Sequence, residues 1–330
     1  MKSFASSSQF HDGHFVNRNN VTVVISGGSF FKTLREYASS KDTKPSEPLP
    51  VAFDDDEADS PLENGAMRVT WYGHSAVFLE LEGKRLLIDP MFGPSTSPLP
   101  FFGKRFALKK PIDINRFTNI DAVIISHDHY DHLDYGSIRR LKRHVRHFYV
   151  PLGVGSHLRR WGVPSERITE MDWWDSVDFQ GIHLTAAPAQ HFSGRGLNDR
   201  NRTLWVSWVI RGAKHAIFFS GDSGYGQHFR EIGERFGPFD FTMIECGQYN
   251  EKWATIHSMP EESVQAHIDL RGKVMMPIHW SAFQLAVHSW TDPVERATAA
   301  AVDRGVAMIT PMIGEAVRLD RELPTLRWWE

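Results

Sequence analysis

The sequence predicts an α/β protein in which two sheets pack face to face with helices outside. Short apolar strands come first as a run, from Met67 onward, and later strands alternate with helical patterns. The chain has 330 residues, 41% hydrophobic and 23% charged, which is a globular composition with enough apolar material for a sizeable core.

Ahead of the strands the texture differs. "MKSFASSSQFHDGHF" lacks the continuous apolar stretch of a secretion signal. No window approaches the roughly 20 apolar residues of a spanning helix. The expectation is a soluble, cytoplasmic protein, with peripheral membrane contact left open. "FFKTLREYA", Phe30 to Ala38, suits a short amphipathic helix that docks on the main domain or touches a membrane. Ser39 to Glu63 is rich in Pro, Ser and acids, as in a linker. Residues 1–65 are therefore expected to be an N-terminal arm and flexible linker, and 66–330 a single domain.

"MRVTWYG", "AVFLELEG" and "KRLLIDP" read as an antiparallel meander, with Gly83 turning between the second and third. "DAVIIS", "HFYVP", "IHLTAAPA", "LWVSWVI", "HAIFFSGD", "FTMIEC" and "KVMMPIH" read as further strands. Helical patterns cover Tyr135 to Arg143, Gly155 to Trp161, Gln227 to Phe236, Pro260 to Ile268 and Pro293 to Arg304.

Polar residues fall at the ends of these strands. "DAVIIS" delivers His127, "IHLTAAPA" runs out before His191, "HAIFFSGD" delivers Asp222 and "KVMMPIH" delivers His279. Strand ends are where a rigid scaffold presents groups to a shared cleft. "HDHYDH" adds His129, Asp131 and His132 to His127 within one tight loop. Neutral imidazoles and carboxylates at such spacing suit a divalent metal. Seven candidate ligands exceed the need of one ion and match two ions about 3.5–4 Å apart that share a carboxylate. The single cysteine, Cys246, excludes an internal disulfide and a cysteine-based zinc motif. A net charge of −3 gives no sign of a nucleic-acid surface.

With these residues in view, the chain resembles the metallo-β-lactamase superfamily, whose fold is the four-layer αββα sandwich. The resemblance implies that His127, His129 and His191 hold one metal, that Asp131, His132 and His279 hold the other, and that Asp222 bridges them. The longer stretches "WYGHSAVFLE", "LLIDPMFGPSTSP", "AVIISHDHYDHLDYGSI", "PAQHFSGRGLNDRNRTLWVSW" and "MPIHW" are similar to the N-acyl-phosphatidylethanolamine-hydrolysing phospholipase D branch. That branch implies phosphodiester hydrolysis of an N-acylated phosphatidylethanolamine or a related glycerophosphodiester. The cofactors it implies are two divalent ions, zinc first, with manganese or iron as alternatives. A lactonase or sugar-phosphate ester hydrolase is the alternative enzyme, and a metal-stabilised binding module the alternative outside catalysis. A homodimer is left open.

Other residues carry weaker expectations. Asp89 in "LLIDP" is a candidate acceptor fixing a ligand histidine. His257 is a candidate proton donor to the leaving group, because the family has a histidine here, and Asp131 is counted with it as catalytic. Among Arg195, Arg200 and Arg202 one is a candidate to steady a phosphodiester, while at least two of them read as a solvated loop. Tyr249 and Trp253, which "CGQYNEKW" keeps in the family pattern, are candidates to line the substrate site. Trp173, Trp174, Trp205 and Trp208 read most simply as core or cavity wall.

Overall fold

A computed structural model of the chain describes residues 4–18, 21, 40–53, 62, 65–99 and 102–330. The expected helix at Phe30 to Ala38 lies outside the described residues. A small hairpin, β1 (Phe10–His11) with β2 (His14–Phe15), comes before two seven-stranded sheets.

The first sheet has the spatial order β16 (Ala316–Arg318), β3 (Met67–Trp71), β4 (Val77–Leu81), β5 (Lys84–Ile88), β6 (Ile120–Ile124), β7 (Val145–Pro151) and β8 (Ile168–Met171). The second runs β15 (Ala307–Met308), β14 (Gly272–Ile278), β13 (Phe239–Glu245), β12 (Ala216–Phe219), β11 (Ser207–Arg211), β10 (Ile182–Ala187) and β9 (Ser176–Phe179). Each sheet is antiparallel through its first strands and parallel beyond β5 or β12. The meander expected at 67–88 is present, with Gly83 turning at φ 75°. β8, β9, β15 and β16 are not foreseen in the sequence reading. All are short, and β16 returns from the far end of the chain to pair with β3.

Side-chain alternation sorts residues between layers. Ala122 and Ile124 of β6 face Ile217 and Phe219 of β12 in the core between the sheets. Val123 points the other way, against Ile138 and Leu141 of helix α1 (Tyr135–Leu141) and Leu158 of α2 (Gly155–Arg160). On the opposite face Phe218 meets Phe229 and Ile232 of α3 (His228–Phe236) and Val264 of α4 (Pro260–Asp269), and α5 (Asp292–Asp303) adds Ala300 and Ala301. Each fully buried side chain of this size contributes roughly 1.5–3 kcal/mol. The result is the αββα sandwich. Trp205 and Trp208 lie in its central core.

Described parts of the expected arm and linker pack on this body. Leu49 is buried and its N–H and carbonyl pair with Ala107 and Lys109, while Ala52 N–H donates to Ile313. Phe15 is fully buried. Composition marks these stretches as polar, yet the few apolar residues among them find the sandwich.

Candidate metal centre

The chain delivers its chemistry at the carboxyl ends of seven strands. β3 leads to His74, β5 to Asp89, β6 to His127, β10 to His191, β12 to Asp222, β13 to Glu245 and β14 to His279. His74, Asp89 and His279 adopt left-handed backbone at φ 54°, 41° and 67°. Such conformations cost about 1–3 kcal/mol each and persist only where surroundings enforce them. Gly221 precedes Asp222 at φ 57°, and a Cβ there would lie 2.7 Å from that of Ser126. Glycine is required for the strand to approach so closely.

Two nests of ligand-type atoms result. In the first, His127 Nε2 and His129 Nδ1 are 2.9 Å apart, and His191 Nε2 is 3.2 Å from the same His129 nitrogen. The second holds Asp131, His132, His279 and His74. Asp222 lies between them. Its Oδ1 is 3.1 Å from His132 Nε2 and 3.0 Å from His279 Nδ1, while its Oδ2 is 3.7 Å from both His127 Nε2 and His191 Nε2. One carboxylate oxygen thus faces each nest. The structure brings the seven expected ligands together around Asp222.

Their chemistry fits divalent cations. His279 Nε2 and His74 Nδ1 are buried with no hydrogen-bond partner, a state that ordinarily costs about 1–3 kcal/mol per group. Three imidazole nitrogens converging at about 3 Å cannot all carry protons. Burial lowers the pKa of His127, His129, His191 and His279, which favours the neutral, ligating form. Burial also works against charge on His132, but the carboxylates of Asp222, Asp131 and Asp89 outweigh it and raise this pKa.

The surrounding shell is equally built. Asp89, fully buried, accepts from Ser126 N–H at 2.7 Å, Ser126 Oγ at 2.5 Å and His132 Nδ1 at 2.7 Å. It thereby holds His132 with Nε2 toward Asp222. His74 Nε2 holds Asp131 Oδ2 at 2.9 Å. The sequence reading passes over His74, although it opens the loop after the first meander strand in "WYGHSAVFLE". Glu245 is passed over too. It is fully buried at the end of β13, accepts from Ser223 and Ser258 N–H at 3.0 and 2.9 Å, and holds His257 Nδ1 at 2.8 Å. His257 in turn packs over the rings of His191 and His279 at centroid distances of 5.0 and 5.2 Å. Burial raises the Glu245 pKa. His257 is raised as well, the nearby Glu245 carboxylate outweighing burial.

The three arginines after His191 are placed unlike one another. Arg195 Nη1 donates to the carbonyls of Asp128 and Leu133 at 2.6 and 2.7 Å, and its guanidinium stacks on Tyr130. It braces the ligand loop. Asp128 does the same from the other side, accepting from Gly194 N–H and Thr203 Oγ1. Arg200 is exposed over the ring of Phe192, and Arg202 is exposed. Tyr249 is buried with its hydroxyl on Asp292 and its ring on His288, and Trp253 Nε1 donates to the Gln248 carbonyl. Both hold the loop that follows β13 through these contacts. Asp222 does not cap α3, whose first turn has no side-chain cap.

No helix among the described residues is long and apolar enough to cross a membrane. The family described as the beta-lactamase superfamily domain matches residues 84–280. An uncharacterised Mycobacterium tuberculosis protein is 39% identical over 98% of this chain and 87% of its own length. The N-acyl-phosphatidylethanolamine-hydrolyzing phospholipase D 1 of Caenorhabditis elegans is 33% identical over 69% of this chain and 67% of its own. Among solved structures, a metallo hydrolase from the archaeon Ignicoccus hospitalis shares the fold at a TM-score of 0.59 and 20% identity, covering 78% of this chain and 100% of that one. Two ligand nests at the strand ends of an αββα sandwich agree with this kinship: the chain belongs to the metallo-β-lactamase superfamily and is a metal-dependent hydrolase.

Proposed function

We propose that the chain is a phosphodiesterase of the phospholipase D type, acting on N-acyl-phosphatidylethanolamine or a related glycerophosphodiester. The observation that carries this reading is the shared carboxylate of Asp222, one oxygen toward each nest, with His257 packed beside both. His127, His129 and His191 would hold one divalent ion and Asp131, His132 and His279 the other, with Asp222 common to both and zinc the first choice. Bound ions supply Lewis acidity and lower the pKa of water from about 15.7 toward about 7.

The chain's own residues supply the rest. Asp89 and His74 keep His132 and Asp131 in register. With Nδ1 taken by Glu245, His257 has Nε2 left for substrate, where it can carry a proton to the departing alkoxide oxygen. The bond from phosphorus to that oxygen breaks, a water oxygen takes its place, and phosphatidic acid and an N-acylethanolamine result. A cationic imidazole beside the nests also suits the fixed negative charge of a diester better than a neutral lactone. The name of the Caenorhabditis elegans relative supports the same substrate class. A lipid substrate carries with it a peripheral contact with the bilayer.

The test is a rate comparison of metal-loaded protein on N-acyl-phosphatidylethanolamine, a simple aryl phosphodiester and a panel of lactones. The lipid should be cleaved fastest and the aryl diester more slowly. Efficient lactone opening without diester cleavage would overturn the reading.

A further inference from the structure

His191 stands apart from the other ligands in how its backbone is held. β10 ends at Ala187, and residues 188–206 form neither helix nor strand. A buried backbone there must find partners outside regular structure. One side chain provides both. Asn17 Oδ1 accepts from His191 N–H at 3.1 Å, and Asn17 Nδ2 donates to the His191 carbonyl at 2.7 Å. Trp205 Nε1, which can only donate, also reaches Oδ1 at 3.1 Å. Two donors on one amide atom identify it as the oxygen. The amide of Asn17 thus bonds His191 as a neighbouring strand would.

Asn17 is fastened on both sides. Before it, Phe15 is fully buried against the rings of Phe4 and Phe10, and its N–H donates to the Asn201 carbonyl at 2.7 Å. After it, Arg18 pairs with Glu231 at 2.5 Å and lies over the rings of Trp173 and Trp174. The His191 ring is oriented separately, with Nδ1 on the Ile256 carbonyl at 3.0 Å and Nε2 toward His129. A ligand whose backbone and ring are both fixed is preorganised for metal.

We propose that Asn17 is a positioning residue of the metal centre. The N-terminal segment is then a working part of the site, serving the His127–His129–His191 nest and not the nest of Asp131, His132 and His279. This rests on the two-ion centre proposed above. No contact of Asn17 reaches the second nest directly, so the expected effect is selective.

The test uses the full-length chain, stripped of metal and titrated with zinc alone against a chromophoric chelator. Wild type should show two binding steps. Asn17→Ala should weaken one step by about tenfold to a hundredfold and leave the other unchanged. The same selectivity should appear in cobalt-loaded protein as a change in one of two sets of visible absorption bands. Asn17→Asp keeps the acceptor and loses the donor; it should give a smaller loss in the same step, and it carries the test should the alanine variant not fold. Thermal melting of the metal-free variants should match wild type within a few degrees. Wild-type affinity in both steps, or equal weakening of both with a lower metal-free melting temperature, would overturn the inference. Wild-type protein that takes up no zinc would overturn the two-ion centre, and this inference with it.

Discussion

Residues 127–132 deliver His127, His129, Asp131 and His132 from one turn, whereas the second half of the chain brings His191, Asp222, His257 and His279 from separate strand ends and loops. The turn is largely set by its own backbone. Leu133 N–H donates to the His129 carbonyl at 2.8 Å, and Asp134 then caps α1 through Gly136 and Ser137 N–H. The scattered ligands depend instead on the register of three strands. Each half also holds a fully buried carboxylate against the Nδ1 of a histidine, Asp89 against His132 and Glu245 against His257. In the first half the partner is a candidate ligand, so on the proposed reading the carboxylate would govern metal binding. In the second half the partner is a histidine outside the proposed ligand set, where the carboxylate would govern a proton.

The residue common to both nests should give the largest effect. Asp222→Ala should lower occupancy of both ions and reduce turnover to background. His257→Ala should keep close to two ions per chain and lose about 10²–10⁴-fold in turnover. Elemental analysis beside steady-state rates separates the two. One ion per chain, unaffected by Asp222→Ala, sinks the shared-carboxylate arrangement. Parental rates in His257→Ala remove that residue from the reaction.

The paired carboxylates sharpen the comparison at a smaller scale. Asp89→Asn should weaken metal binding by about 10–100-fold, because His132 Nδ1 loses its charged acceptor. Glu245→Gln should leave the metal in place and lower turnover, because His257 loses the carboxylate that favours its protonated form. Zinc affinity and turnover at saturating zinc, measured for both variants, form a two-by-two test. If both changes act on metal affinity alone, the second half does not differ in kind from the first.

The same asymmetry explains what the sequence reveals. The turn is legible because rare residue types crowd six positions after an apolar strand, and any fold that forms the turn brings them together. His191, Asp222 and His279 are legible because each follows an apolar run. Glu245 follows such a run as well, but as the last residue of "FTMIE" it is indistinguishable from an ordinary strand end until Ser223 and Ser258 are seen to bond it. His74 is hidden because its task is to hold Asp131, a long-range partner. Asn17 lies in "FVNRNN", within the stretch expected to be an arm, and its partner is 174 residues away. The role of Arg195 is hidden in the same way, because its partners, the carbonyls of Asp128 and Leu133, lie more than sixty residues before it.

The smallest expected effect concerns acid stability, and it also divides the halves. His267, in the second half, is buried outside the ligand groups, and burial pushes its pKa down to about 4. His267 Nδ1 pairs with Thr242 Oγ1 at 2.8 Å, and its ring presses so close to Gly272 that a Cβ there would lie 2.4 Å from it. Unfolded, such a histidine titrates near 6.5. Between pH 6.5 and about 4 the unfolded chain therefore binds a proton at this position that the folded chain does not. Stability from this residue is unaffected above pH 6.5 and falls as pH drops, by up to about 1.4 kcal/mol per pH unit. His267→Gln keeps a side chain able to bond Thr242 but cannot take the proton. Denaturant unfolding of metal-free wild type and variant at pH 7.5, 6.5 and 5.5 isolates this proton, because the ligand histidines are the same in both. The wild type should lose more stability than the variant below pH 6.5, and the two should run parallel above it. Parallel curves throughout mean that His267 is protonated in the folded protein, and that the acid sensitivity of the second half lies elsewhere.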